Sequence, residues 1–257
     1  MRLDQAIVAA GLAESRARAQ QLIAAGVVTV AGLVITKASS RAAPDAIALN
    51  ENPIPWVSRA ALKLVHGLEH WSLAPSGAAL DIGASTGGFT EVLLARGASK
   101  VIAVDVGQDQ MHPSLRNDPR VYLREGLNAK DLPSVGPVDW LVSDVSFISL
   151  TKALPRAMAE TRPGGTALVL VKPQFEVGRT GLGKGGVVKD VTVRAAALSG
   201  VVGFFEASDW TVRGTTDSPI LGGDGNHEFL LWAEKPRHGS HTRSRPLPMQ
   251  VPARRPA

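Results

Sequence analysis

Cysteine is absent from the 257 residues, so the chain can form neither disulfides nor thiolate zinc sites, and its stability cannot rest on cross-links. Long apolar runs are missing too. Nothing approaches the ~20 consecutive apolar residues that a membrane-spanning helix needs, and Met1-Arg2-Leu3-Asp4 does not open a signal peptide. These absences lead to the expectation of a soluble, cytoplasmic protein without a membrane partner, and nothing in the sequence marks an obligate protein partner. Acid is lacking in one place: Lys235 to Ala257 holds six Lys or Arg, five Pro and no Asp or Glu. Residues 1–234 hold 22 basic against 23 acidic side chains, so the formal +5 and the pI near 9.8 come largely from that segment. Residues 235–257 are expected to be a disordered basic tail, and any contact between the body and a polyanion must come from local clusters.

What is present is organised around Ala79-Leu80-Asp81-Ile82-Gly83-Ala84-Ser85-Thr86-Gly87-Gly88-Phe89-Thr90. A short apolar run ending in Asp81 reads as a buried strand, the glycines turn the backbone tightly, and a helical pattern starts at Thr86. Such a turn lets a ligand approach where no Cβ stands in the way and aims unpaired helix N–H groups at it. Lys100-Val101-Ile102-Ala103-Val104-Asp105 follows, a β-branched strand that puts a carboxylate about 20 residues on, where a ribose hydroxyl needs one. NAD and S-adenosylmethionine both satisfy that arrangement. The glycines at 83, 87 and 88 depart from G-x-G-x-x-G, which favours S-adenosylmethionine. The expected donor contacts are Asp81, Gly83, Ala84, Ser85, Gly87, Gly88 and Phe89, with Asp105 on the ribose.

Residues 1–47 read as a compact binding module. Leu3, Ala6, Ile7 and Ala10 repeat at helical spacing, Gly11 ends that helix, and Ser15 can cap a second with Ala19, Leu22 and Ile23 on its inner face. Gly26 closes it. Val27–Val30 and Leu33–Ile35 then read as strands joined through Ala31-Gly32. Residues 48–58 form a proline-broken linker. Beyond it, Ala61, Leu64, Val65 and Leu68 predict an amphipathic helix, with Lys63 off its apolar stripe, a position that reads first as solvent-facing.

Strands are expected at Val121–Leu123, Val138–Asp144, Ala167–Lys172, Trp210–Thr215 and His227–Trp232, and helices at Leu150–Thr161 and about Val188–Ala207. Together with the glycine turn these give a doubly wound, Rossmann-like α/β domain over 59–234 beside a small α+β module, with ligands at the carboxyl ends of the strands. Gly178-Arg179-Thr180-Gly181-Leu182-Gly183-Lys184-Gly185 nearly spells a Walker A motif, but Gly185 replaces the hydroxyl that holds Mg²⁺. A flap offering Arg179 and Lys184 to phosphate is expected instead. Glu228 stands out because Phe229-Leu230-Leu231-Trp232 makes its strand read as buried, and a buried carboxylate needs a cation.

Three resemblances add to this reading. Arg2-Leu3-Asp4, Gly11-Leu12, Ser15-Arg16 with Ala19, Leu22-Ile23, Gly26, Val30-Ala31-Gly32 and Lys37 with Ser39 resemble the RNA-binding domain named after ribosomal protein S-four. That resemblance implies RNA contacts at Arg2, Ser15, Arg16, Arg18 and Lys37; Ala31 stands where the family usually has Asn. The order Lys63, Asp144, Lys172, Glu228 resembles the catalytic tetrad of FtsJ-like ribose 2′-O-methyltransferases. With Ser58-Arg59-Ala60-Ala61-Leu62-Lys63-Leu64, Ser143-Asp144-Val145-Ser146-Phe147 and Lys172-Pro173-Gln174-Phe175-Glu176, residues 1–234 are similar to the TlyA family.

The TlyA resemblance implies a class I, S-adenosylmethionine-dependent cytidine 2′-O-methyltransferase acting on ribosomal RNA or ribosomal subunits, with Arg59 added to the RNA contacts. Relatives with an Arg-x-Trp-Val linker carry Arg where Ile54 stands here. The chemistry requires no metal. Lys172 either loses its proton through burial and the proximity of Lys63, or stays charged and stabilises the developing alkoxide; Asp144 and Glu228 fix the lysines. A membrane-active haemolysin and a non-catalytic RNA chaperone are the rival readings.

Overall fold

The computed structural model describes residues 1–24, 27–35, 37–49, 55–178, 182–222 and 225–237. The expectations placed on Gly26, on Ile54 and most of the linker, on Arg179 and on the tail beyond residue 237 lie outside the described residues.

In the amino-terminal module, α1 (Leu3–Ala9) buries Leu3, Ala6 and Ile7 against Ala19, Leu22 and Ile23 of α2 (Arg16–Ala24). The Ser15 hydroxyl caps α2 by accepting the Arg18 N–H at 3.2 Å. Strand β1 (Val28–Val30) pairs antiparallel with β2 (Leu33–Val34) through a turn whose residues Ala31 and Gly32 both have positive φ, +49° and +79°. This is the conformation a tight hairpin demands, and only Gly32 adopts it without strain. A third strand, β3 (Ile47–Leu49), pairs with the other edge of β1 and continues the module past residue 47 into the expected linker. Its three residues are too few to display an alternating pattern.

The larger domain opens with α3 (Ala61–His70). It continues through β4 (Gly77–Ile82), α4 (Gly88–Ala95), β5 (Ala98–Val104), α5 (Pro113–Arg116), β6 (Val121–Arg124) and β7 (Val138–Ser143). Then come α6 (Leu150–Ala153), α7 (Pro155–Glu160), β8 (Thr161–Val171), α8 (Pro173–Glu176), α9 (Val191–Ala207), β9 (Thr211–Asp217) and β10 (Phe229–Glu234). The sheet runs β6-β5-β4-β7-β8-β10-β9, with the first five strands parallel and β10 antiparallel between β8 and β9. Strand order reverses between β4 and β7, so the crevice of a doubly wound sheet falls where Gly83 and Asp144 leave those strands.

The apolar faces alternate along β4. Leu80 and Ile82 pack with Leu150, Ala157 and Phe205 on one side; Ala79 packs with Leu64, Val92 and Leu93 on the other. Several boundaries differ from expectation, and three of the shifts have plain local reasons. Gly87 takes φ +97°, so α4 begins at Gly88 rather than Thr86. Pro155 lacks an N–H and crowds the preceding turn, so the helix expected over 150–161 is two short helices, and Thr161 opens β8. The Asp190 carboxylate accepts the Thr192 N–H at 2.7 Å and sets the start of α9. Among the described residues, no helix is long and apolar enough to cross a membrane.

Candidate active site

The turn after β4 carries positive φ at Gly83 (+85°), Ser85 (+46°) and Gly87 (+97°). Its glycines are imposed by the protein as well as by ligand access. A Cβ on Gly83 would stand 2.9 Å from the Val145 backbone, one on Gly87 2.3 Å from Leu115 Cδ1, and one on Gly88 2.9 Å from Ser58 Oγ. The segments after β5 and β7, and the start of α3, are thereby drawn tightly around the turn.

The Asp105 carboxylate folds onto it. Its Oδ2 accepts the Ser85 N–H at 2.8 Å and its Oδ1 the Gly107 N–H at 2.7 Å. The Ser85 hydroxyl donates to Gln110 Oε1 at 3.1 Å. Asp81, fully buried, accepts the Thr90 hydroxyl at 2.7 Å on Oδ2, while its Oδ1 has no partner among the described residues. Burial pushes its carboxyl up to about 7; the Thr90 hydrogen bond opposes this, and the charges of Asp144 and Asp105 add to it. An orphaned buried oxygen and a glycine cradle beside a second carboxylate fit a cationic nucleoside donor. Phe89 is a core residue that also reaches the cavity wall.

The four residues expected as a tetrad are built as two ion pairs. Lys172, just past the end of β8, places Nζ 2.7 Å from Asp144 Oδ1, 2.8 Å from Ser146 Oγ and 3.3 Å from the Asp144 carbonyl oxygen. Lys63, on α3, places Nζ 2.6 Å from Glu228 Oε2, and this pair is sealed, with side chains 7% and 2% exposed. The position of Lys63 off the apolar stripe does not expose it, because its stem runs inward to Glu228. Phe229 of β10 pairs with Val171 of β8, so Glu228 and Lys172 each stand one residue beyond that pair at neighbouring strand ends.

A cavity of about 150 Å³ is walled by the turn residues Gly83, Ala84, Ser85 and Gly88 on one side and by Asp144, Ser146 and Lys172 on the other. Ser58 and Ala60, ahead of α3, complete it, whereas Lys63 and Glu228 do not line it. The sequence reading quoted Ser146 and Phe147 within a family motif but gave neither a role; Ser146 holds the ammonium, and Phe147 is 91% exposed with φ +66°. No periodicity marks either residue.

The amino-terminal arginines are organised by a residue to which the sequence reading gave no role. Asp4 is buried on α1. It accepts from Arg2 Nε at 3.0 Å, Arg16 Nη2 at 2.9 Å and Gln20 Nε2 at 2.9 Å. The Arg2 guanidinium, followed by Gln20, holds its carboxyl well below the usual range against the cost of burial. A carboxylate at a helix position otherwise filled by apolar side chains was the available signal. Arg2 and Arg16 remain 48% and 56% exposed. Ser15 is engaged in capping, Arg18 donates to Gln21 Oε1 at 3.3 Å, Lys37 is exposed and Arg59 is partly buried beside Ser58. Between the two units, His112 Nε2 lies 3.5 Å from Glu14 Oε1.

Comparison with known proteins agrees with both halves of the fold. The sequence model of FtsJ-like methyltransferases matches residues 56–235, and that of the S4 domain residues 1–47. The 16S/23S rRNA (cytidine-2′-O)-methyltransferase TlyA of Mycobacterium tuberculosis is 46% identical over 238 residues, which cover 90% of this chain and 88% of that protein. Hemolysin A of Brachyspira hyodysenteriae is 41% identical over 90% of this chain and 98% of its own. A solved Streptococcus thermophilus structure, described provisionally as a hemolysin, is 37% identical and superposes with a TM-score of 0.74 over 92% of this chain and 88% of its own. With the S4 module, the parallel sheet and the glycine turn all in place, the chain belongs to the TlyA family of FtsJ-like methyltransferases.

Proposed function

We propose that this protein transfers a methyl group from S-adenosylmethionine to a cytidine ribose 2′-hydroxyl of ribosomal RNA, with the amino-terminal module holding the RNA. The observation that carries the reading is the shared cavity: the glycine turn and the Lys172–Asp144 pair form its opposite walls. The donor supplies an electrophilic methyl carbon on a sulfonium. Gly83, Ser85, Gly87 and Gly88, with Asp81 below and Asp105 beside them, would hold it.

A ribose hydroxyl is a weak nucleophile until charge builds on its oxygen. Lys172, held by Asp144 at 2.7 Å on the cavity wall, is placed to act on that oxygen electrostatically, stabilising the charge as it builds. Its longest contact, 3.3 Å to the Asp144 carbonyl, is the one most cheaply given up to a substrate oxygen. Phe147 stands exposed next to Ser146 with its ring 5.2 Å from that of Phe175, and offers a face on which the target base can stack. On the module, Asp4 presents the Arg2 and Arg16 guanidinium groups together, and their exposed edges suit phosphate.

Lys172→Ala tests the reading. Methyl transfer to ribosomal RNA should be abolished while calorimetry shows donor affinity within about threefold of wild type, because the residue faces the acceptor side. A variant with the wild-type rate refutes the assignment. Calorimetric preference for NAD over S-adenosylmethionine refutes the donor.

A further inference from the structure

Glu176 has no role in the methyl transfer as described so far. It ends the single turn of α8 a short way after Lys172 and is partly buried. Its Oε1 accepts the Leu150 N–H at 2.9 Å, and its Oε2 accepts the Ser149 hydroxyl at 2.5 Å. Ser149 Oγ in turn accepts the Thr151 N–H at the start of α6. A single carboxylate thus ties the chain leaving β8 to the chain leaving β7.

The tie matters because of what lies between. Among the described residues, every acceptor around Lys172 Nζ belongs to Asp144 or Ser146. From Asp144 to Ser149 the backbone has no regular structure, and at its near end the Asp144 N–H donates to the Ile82 carbonyl at 3.1 Å. Phe147 then takes φ +66°, a left-handed conformation that a bulky residue holds only when both flanks are fixed. Glu176 fixes the far flank. Phe175, its neighbour on α8, packs its ring against Phe147 at 5.2 Å, so the same helical turn grips the loop twice.

We propose that Glu176 is a positioning residue of the methyl transfer: by clamping Ser149 and Leu150 it holds Asp144 and Ser146 against Lys172 and so fixes the ammonium on the cavity wall. The inference rests on the role given to Lys172 above. Glu176 itself does not line the cavity and acts through the loop.

The test uses the full-length protein. Acetic anhydride acetylates lysines according to exposure, and peptide mass spectrometry reads Lys172 against Lys63, a buried lysine held by a different carboxylate. In Glu176→Ala the Lys172-to-Lys63 labelling ratio should rise about fivefold or more, as local opening predicts. Its kcat on ribosomal RNA should fall about 10- to 100-fold, with donor affinity within about threefold of wild type. Glu176→Gln keeps the shape and one acceptor oxygen, so it should fall between; it carries the same test if the alanine variant fails to fold. An unchanged ratio in the folded variants, or equal rises at both lysines, overturns the clamp. A raised ratio with wild-type kcat overturns its link to methyl transfer. Labelling does not depend on what Lys172 does chemically: a shifted ratio in Glu176→Ala beside an active Lys172→Ala sinks the reading of Lys172 alone, and an unshifted ratio in Glu176→Ala beside an inactive Lys172→Ala sinks the clamp alone.

Discussion

Replacing Asp81 by asparagine removes the most strongly perturbed buried carboxyl of the donor turn without changing its shape. Burial lifts that carboxyl from 3.8 to about 7 against the opposing hydrogen bonds from the Thr90 hydroxyl and backbone N–H. An acid that holds its proton more tightly when folded than when unfolded burdens the folded state as pH rises. The burden begins near the unfolded value and is complete above about pH 7, where it amounts to roughly 4 kcal/mol. More than half of it accrues between pH 5 and pH 8. The asparagine cannot ionise. Its carbonyl keeps the Thr90 hydrogen bond, and its amide nitrogen takes the place of the unpartnered Oδ1 at a cost of about 1–3 kcal/mol that is the same at every pH. Urea unfolding at the two pH values cancels that constant cost. The variant should gain roughly 2–3 kcal/mol on wild type between pH 5 and pH 8. A gap that stays within about 0.5 kcal/mol would show that burial does not keep Asp81 neutral, and the argument for a proton held beneath the turn would fail. A cationic donor favours the ionised form, so donor binding near pH 6 should release a proton in wild type, visible as a buffer-dependent enthalpy, and none in Asp81→Asn.

Two further outcomes follow from the module. Replacing Arg16 and Arg18 together by alanine should weaken RNA binding and lower the slope of log affinity against log salt by about 0.7–0.9 for each phosphate that α2 no longer neutralises; an unchanged slope would remove α2 from the RNA face. Ala31→Asn should raise the stability of the hairpin by about 0.5–1 kcal/mol, because asparagine tolerates the left-handed φ that alanine adopts under strain. Unfolding of wild type and variant under identical conditions measures it, and equal stability would mean that the turn relaxes in solution.

The sheet was legible because β4, β5, β7 and β8 are buried on both faces and therefore read as continuous apolar runs, with turn residues between them. Where burial leaves no periodic trace, the sequence was silent. Strand β3 is three residues long, and the break at Pro155 interrupts a helical pattern that continues on either side. Glu228 could be recognised as a carboxylate in need of a cation, since the four residues after it are apolar. Its partner could not: Lys63 is 165 residues away on a helix whose pattern points it to solvent, and only the tertiary fold brings α3 against the strand ends. The glycines of the turn were read for ligand access, yet their nearest would-be neighbours are Val145, Leu115 and Ser58. Close protein packing and close ligand approach demand the same residue, so sequence alone does not separate them.

The division of the four charged residues into an open pair and a sealed pair assigns them unequal work. Lys172 and Asp144 wall the cavity; Lys63 and Glu228 are buried more deeply and do not. The sealed pair joins α3 to the strand ends, and the residues leading into α3, Ser58 and Ala60, form a cavity wall. It therefore frames the site. A buried ion pair costs more to break than to replace: Lys63→Met alone leaves Glu228 without a counter-charge and should destabilise the protein by about 3–5 kcal/mol. Lys63→Met combined with Glu228→Leu removes both charges at similar volume and should restore most of that stability. If the pair only frames the site, the double variant should keep methyl transfer within about tenfold of wild type, far above Lys172→Ala. A double variant that folds, binds donor and is nonetheless as inactive as Lys172→Ala would place Lys63 among the groups that meet the ribose, and the framing role would be wrong.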